Sequence, residues 1–177
     1  MKTTQNLPTP PADYTEVRWY AAYTCSHHEK RVAEQLRQKS VEHFLPVYET
    51  VRRRKDRRVR LEMPLFPGYV FVHLALCHRL PVLQIPSLVQ LVRFNGTPAA
   101  LPDDDIECMR RGLERGVRAE PHPYLTAGRR VQIRSGPFEG RQGILLRRKG
   151  KLRVVLSIDL IARSVVTDVD EADVEAL

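Results

Sequence analysis

The nine residues from Arg52 to Arg60 read Arg-Arg-Arg-Lys-Asp-Arg-Arg-Val-Arg, seven bases against one acid. The chemistry such a run offers is neutralisation of phosphate. Guanidinium groups fork onto phosphate oxygens, which gives affinity without reading base sequence. The chain as a whole carries +8, and this run supplies +6 of it; the remaining 22 bases meet 20 acids. The excess charge is therefore one local patch on a nearly balanced body, a footprint suited to nucleic acid. A second group, Cys25-x-His27-His28 followed by Arg31, has ligand-type residues but no second pair at fixed spacing, so no metal site is expected. No phosphate-binding glycine loop and no nucleophile–base pair stands out, and the chain reads as a binding protein rather than an enzyme, without a cofactor. The Asp103-Asp104-Asp105 run is better read as a helix start than as a cluster of catalytic acids.

The third feature is Pro64-Leu65-Phe66-Pro67-Gly68-Tyr69-Val70-Phe71-Val72. Pro67 fixes φ and lacks a donor, and Gly68 admits an unusual φ, so the chain turns sharply before a strand of high β propensity. Period two puts Tyr69 and Phe71 on one face and Val70 and Val72 on the other. One face can enter a core while the other presents aromatic surface to a partner.

These residues must be positioned by the elements around them. Residues 1–16, with Pro8, Pro10 and Pro11, read as a flexible lead-in. Residues 19–24 read as a strand. Ser26 is placed to cap a helix, with Glu29 as its capping-box partner; Val32, Ala33 and Leu36 form the apolar stripe, and Glu29 is expected on the wet side. Residues 44–51 and 59–63 form the arms of a hairpin whose tip is the basic run. Strand-like Leu88 to Phe94 leads into an Asn95-Gly96 hairpin turn. A helix opens at Asp103, with Asp104 and Glu107 at capping-box spacing and Ile106, Met109 and Leu113 as its stripe. Periodicity lapses over 116–126, which reads as a linker. Beyond it, short strands near 131–133, 144–146, 152–158 and 164–169, punctuated by Gly136-Pro137 and Lys149-Gly150-Lys151, predict a small barrel.

The fold class expected is α+β: an antiparallel sheet flanked by helices over 17–115, linked to a small SH3-like β-barrel over 127–177. No apolar run reaches the roughly 20 residues of a membrane span. There is no apolar core of a secretory signal, and three cysteines (Cys25, Cys77, Cys108) without a CxxC make a disulfide framework unexpected. The chain is expected to be cytoplasmic and monomeric, with no membrane partner.

The order of these motifs resembles a known family. A Trp19-Tyr20 strand, a helix, a basic hairpin, Phe66-Pro67-Gly68-Tyr69-Val70-Phe71-Val72 and Val92-Arg93-Phe94-Asn95-Gly96 look like the N-terminal domain of the NusG transcription elongation factors. Gly128-x-x-Val131-x-Ile133-x-x-Gly136-Pro137-Phe138-x-Gly140-x-x-Gly143 resembles the KOW module that follows it. The resemblance implies a factor that binds the clamp helices of the largest RNA polymerase subunit and touches non-template DNA. Carried over by position, Tyr23, Phe66, Pro67, Tyr69, Phe71 and Leu91 would line or support the polymerase pocket. His27, His28 and Arg31 are candidates for DNA contact, with helix capping or a plain wet surface as the alternatives. Arg52, Arg53, Arg54, Lys55, Arg57 and Arg58 would meet nucleic-acid backbone. Phe138, expected on an exposed loop or folded back over the barrel mouth, would join Ile158, Leu160 and Ile161 in docking a small-subunit ribosomal protein or the termination factor Rho.

Within the family, the compact connector 49–58, the Pro64-Leu65-Phe66 approach and Leu91-Val92-Arg93-Phe94 resemble specialised RfaH-like antiterminators. The Cys77-His78-Arg79-Leu80-Pro81 segment departs from the His-Thr-rich segment of RfaH. The implied activity is antitermination and elongation control on particular operons. The alternatives are a housekeeping NusG acting with Rho and a KOW-type RNA-binding or ribosome-associated protein. Glycine and proline in the C-terminal region favour a permanent barrel over a helical hairpin.

Overall fold

The computed structural model describes residues 12–54, 57–122, 128–148 and 151–177. Most of the expected lead-in, Lys55 at the tip of the basic run, residues 123–127 of the expected linker and the Lys149-Gly150 turn lie outside the described residues. The fold is α+β, as expected.

In chain order, α1 (Ala12–Thr15) precedes β1 (Val17–Thr24) and α2 (Glu29–Gln38). A strand broken at Pro46 gives β2 (Glu42–Phe44) and β3 (Val47–Arg54), and β4 (Arg57–Pro64) and β5 (Tyr69–Ala75) follow. A short α3 (Leu80–Leu83) leads to β6 (Leu88–Leu91), then the small hairpin β7 (Arg93–Phe94) and β8 (Thr97–Pro98), β9 (Ala100–Leu101) and α4 (Asp103–Glu114). Among the described residues, the regular elements of the C-terminal part are strands and short 3-10 turns, the strands being β10 (Ala119–His122), β11 (Arg130–Ile133), β12 (Gln142–Arg148), β13 (Lys151–Ile158), β14 (Arg163–Val169) and β15 (Val174–Ala176).

Strands β2, β5, β1 and β6 form an antiparallel sheet in that order, with β9 also paired to β1. The register sets Tyr20 opposite Val72, Ala21 opposite Phe71 and Tyr23 opposite Tyr69. Period two then splits the sheet as the sequence predicts. Tyr20, Ala22, Val70 and Val72 face Val32 and Leu36 of α2, together with Val82 and Ile85. Trp19, Ala21 and Phe71 face Leu65, Phe66 and the Ile106 and Met109 side of α4. Strands β3 and β4 form a separate two-stranded hairpin, pairing residue for residue from Val47–Pro64 to Arg54–Arg57. The C-terminal strands form one antiparallel sheet in the order β10, β14, β13, β12, β11, β15.

Three local expectations are corrected. The stretch read as linker supplies a strand: Ala119–His122 pairs antiparallel with Ser164–Thr167. Pro121 is tolerated there because β10 is an edge strand, and proline removes only a donor that an edge has to spare. Helix α2 is not capped by Ser26; its N-cap is His28, with no side-chain cap bond. Helix α4 likewise follows Pro102 without a side-chain cap, so the Asp104/Glu107 spacing is unused, and its three first-turn acids act through the helix dipole instead.

Glu29 is a fourth difference and the most consequential. It is buried, not wet. Its Oε1 accepts the Gly68 N–H at 2.7 Å, so the first residue of α2 holds the turn that introduces β5. A carboxylate on a buried amide is a charge-assisted bond, and truncation would leave that N–H unpaired, at a cost of about 1–3 kcal/mol. Glu29→Ala is therefore expected to lower unfolding stability by about that amount in urea denaturation. A change within a few tenths of a kcal/mol would mean that the bond contributes nothing net.

Candidate functional site

The turn at Pro67-Gly68 sits at the edge of the aromatic face. Gly68 has φ of 86°, a left-handed conformation that glycine adopts without strain. Its carbonyl accepts the Thr24 N–H at 2.8 Å, and the Tyr69 N–H donates to the Phe66 carbonyl at 3.0 Å. A Cβ at this position would also come within 3.3 Å of the Tyr23 ring. The turn therefore needs glycine for its backbone, and a side chain there would also crowd the Tyr23 ring.

Phe66 and Phe71 meet edge to face, with centroids 5.6 Å apart, and Phe44 stacks on Phe71 at 6.3 Å. Tyr23 and Tyr69, opposite each other in the register, lie 5.5 Å apart. Pro67 is exposed and Tyr69 half-buried, and Tyr23 is 39% exposed. Phe66 and Phe71 are fully buried. Leu91 is placed differently from the expectation. It lies in the core on the opposite side of the sheet, with Tyr20 and Val70, because its strand pairs it with Ala22. It does not share the pocket with Phe66 and Phe71. Beside that pocket the Arg110 guanidinium lies over both Trp19 and Phe44, at 5.3 and 5.4 Å from their centroids.

The aromatic face is covered by the C-terminal sheet. Ile158, Ile161 and Val165 are buried in one cluster with Trp19, Phe66, Phe71, Ile106 and Met109, and Leu160 lies against it half-buried. The Arg163 guanidinium lies 5.8 Å from the Tyr69 ring centroid, and Arg141 is ion-paired with Asp105 of α4. Phe138 is not on an exposed loop. It is 5% exposed, and its ring sits against Gly112 of α4 in a cluster with Cys108. A cavity of about 350 Å³ remains in the seam, bounded among others by Asp105, Cys108, Met109, Arg141 and Leu156. Residues expected to meet two different partners thus meet each other.

Those candidate nucleic-acid residues whose side chains are described lie away from this seam and in water. Arg57 and Arg58 are exposed on β4, and Arg52, Arg53 and Arg54 lie on β3 beside them in the ladder. His27, His28 and Arg31 are exposed at the start of α2. His27 adopts a φ of 64°, and the His28 ring shares a 2.8 Å hydrogen bond with the Ser87 hydroxyl. Lys30 reaches Glu62 at 3.1 Å, which puts the hairpin arm beside the first turn of α2. Among the described residues no group of three or more His, Cys, Asp or Glu is disposed to hold a metal. Nor, among them, is any helix long and apolar enough to cross a membrane.

Electrostatics at the seam have a definite sign. Burial raises the Asp105 carboxyl above the ordinary aspartate range, and the charge and hydrogen bond of Arg141 oppose that rise only in part. A carboxyl whose value is raised by folding favours the folded arrangement below its unfolded value, and that contribution is lost as pH climbs through the raised one. Glu34, Glu42 and Glu175 have the opposite sense, their hydrogen bonds to Arg37, His73 and Arg134 holding them low. Asp105 is therefore isolated only by difference. Relative to Asp105→Asn, the unsubstituted chain is expected to lose stability as pH rises through the carboxylate range, read from denaturation midpoints at several pH values. A difference that grows the other way would make the Asp105–Arg141 pair a net source of stability.

The family model described as "Transcription termination factor nusG" matches residues 17–110. The transcription termination/antitermination protein NusG of Yersinia pestis is 27% identical over 175 residues, covering 89% of this chain and 95% of that protein. The NusG of Vibrio parahaemolyticus is 28% identical over 177 residues, covering 90% and 96%. Among solved structures, one of domain interaction in Thermotoga maritima NusG superimposes with a TM-score of 0.56 at 23% identity, covering 92% of this chain and 98% of that one.

Proposed function

The chain belongs to the NusG family of transcription termination/antitermination factors, and we propose that it binds the clamp helices of RNA polymerase through the face built from Tyr23, Phe66, Pro67, Tyr69 and Phe71. The observation that carries this reading is the aromatic cluster itself. An apolar face on a rigid central strand, framed by a turn tied to α2 through Glu29, is preorganised for helix side chains. Burying each such side chain is worth about 1.5–3 kcal/mol, enough for a few of them to dominate affinity.

The basic hairpin, Arg52 to Arg58, then lies along nucleic-acid backbone in the elongation complex, and His27, His28 and Arg31 face the non-template strand. The KOW sheet takes a second partner, a small-subunit ribosomal protein or Rho, through Phe138, Ile158, Leu160 and Ile161. The factor works in the cytoplasm as a monomer without catalysis of its own. The compact stretch 49–58 favours, in this reading, a specialised, RfaH-like antiterminator that suppresses pausing on particular operons.

Because Ile158, Ile161 and Val165 occupy the aromatic face, polymerase must displace the C-terminal sheet to reach Phe66 and Phe71. A binding-competent form populated at about 1% weakens apparent affinity about 100-fold. Phe71 is a poor probe, since its removal from a full core costs about 3–5 kcal/mol. Tyr69 and Tyr23 keep part of their surface exposed and are the better test. Tyr23→Ala with Tyr69→Ala is expected to weaken binding of the full chain to a cognate elongation complex at least tenfold while unfolding stays cooperative. Unchanged affinity would remove the pocket assignment. Replacing Arg57 and Arg58 by Gln should flatten the dependence of log affinity on log salt by about 0.7–0.9 for each phosphate left without its arginine, whatever the DNA sequence. An unchanged slope would return the hairpin to a solvated arm.

A further inference from the structure

Helix α4 carries a glycine where a helix has least use for one. Gly112 lies inside Asp103–Glu114 and is buried, and glycine in a helix interior is destabilising relative to alanine. The space its side chain would fill is taken. A Cβ there would lie 2.4 Å from Cζ and 2.6 Å from Cε1 of Phe138, closer than any side chain tolerates. One turn earlier on the same face, the Cys108 thiol points at the Pro137 carbonyl at 3.5 Å, and a further turn back Asp105 pairs with Arg141. Positions 105, 108 and 112 thus form one helical stripe that grips residues 137–141. The neighbouring stripe, Ile106, Met109 and Leu113, packs in the cluster that holds Ile158, Ile161 and Val165.

We propose that Gly112 is a socket for the Phe138 ring, and that ring occupancy of this socket sets the fraction of chain in which the aromatic face is open. The ring that plugs the socket is also the residue through which the C-terminal sheet is read to meet its own partner. Capture of Phe138 by that partner withdraws it from α4, loosens the cover over Phe66 and Phe71, and so strengthens binding at the other face; linkage makes the effect reciprocal. This last step rests on the docking reading given under Proposed function, whereas the socket itself does not.

Cys108 supplies a readout that needs no partner, since it is 3% exposed beneath the Pro137-Phe138 turn. With Cys25→Ser and Cys77→Ser in the full chain, the rate of Cys108 modification by a charged maleimide reports separation of that turn from α4, and small-angle scattering reports whether the molecule extends. Gly112→Ala is expected to raise the rate at least tenfold and to increase the radius of gyration, while Glu114→Ala, an exposed control on the same helix, leaves both unchanged. In a Phe138→Ala background the clash is gone, and Gly112→Ala should add nothing. An unchanged rate with Gly112→Ala, or an equal acceleration in the Phe138→Ala background, overturns the socket. If Gly112→Ala unfolds the chain, recovery of folding in the double variant supports the socket, and unfolding of both variants overturns it. Opening without any gain in affinity for the cognate polymerase leaves the socket standing and removes the clamp-helix reading.

Discussion

Trp19, Phe66 and Phe71 make one face of the central sheet apolar, and leaving such a face in water carries a cost that scales with its area. Something must cover it. Helix α4 covers part through Ile106 and Met109, and the C-terminal sheet covers the rest through Ile158, Ile161 and Val165. The chain therefore keeps this face shut with its own second sheet. The cover is itself apolar, so one interface takes both faces out of water.

The physical design divides between rigid and exchangeable parts. The rigid part is β1 and β5 in seven-residue register, with the turn at Gly68 fixed by Glu29. The exchangeable part is the seam, where an ion pair and a ring against a glycine on α4, and an arginine over Tyr69, line up the C-terminal sheet against the first domain around a cavity. Burial raises the Asp105 carboxyl despite its arginine partner. The pair thus specifies how the sheets meet more than it holds them together, as partly desolvated ion pairs often do.

Much of the architecture was legible because it rests on local periodicity. Alternation over 69–72 assigns Phe71 and Val72 to opposite faces, and the structure places them so, but with the aromatic face buried rather than left open. The family and the α+β class followed from the order of motifs. What was not legible depends on tertiary packing. Glu29 looks like any first-turn acid until the 68 turn arrives over it. Pro121 argues against a strand until β14 offers an edge. Leu91 joins the pocket candidates only by its position in the family pattern, and its pairing with Ala22 turns it to the other layer. Gly112 looks like an interruption of a stripe, and Phe138 like a loop tip; only their meeting explains both. The one sequence signal for it is a buried-stripe helix spending a glycine in its interior.

The central claim is that the C-terminal sheet lies on the aromatic face in the free, full-length chain. Methyl NOESY spectra of that chain, with isoleucine and valine methyls labelled, test it most directly. The account predicts cross-peaks from the Ile158, Ile161 and Val165 methyls to the rings of Trp19, Phe66 and Phe71. Absence of all of them, with the two sheets tumbling at different rates, would contradict it.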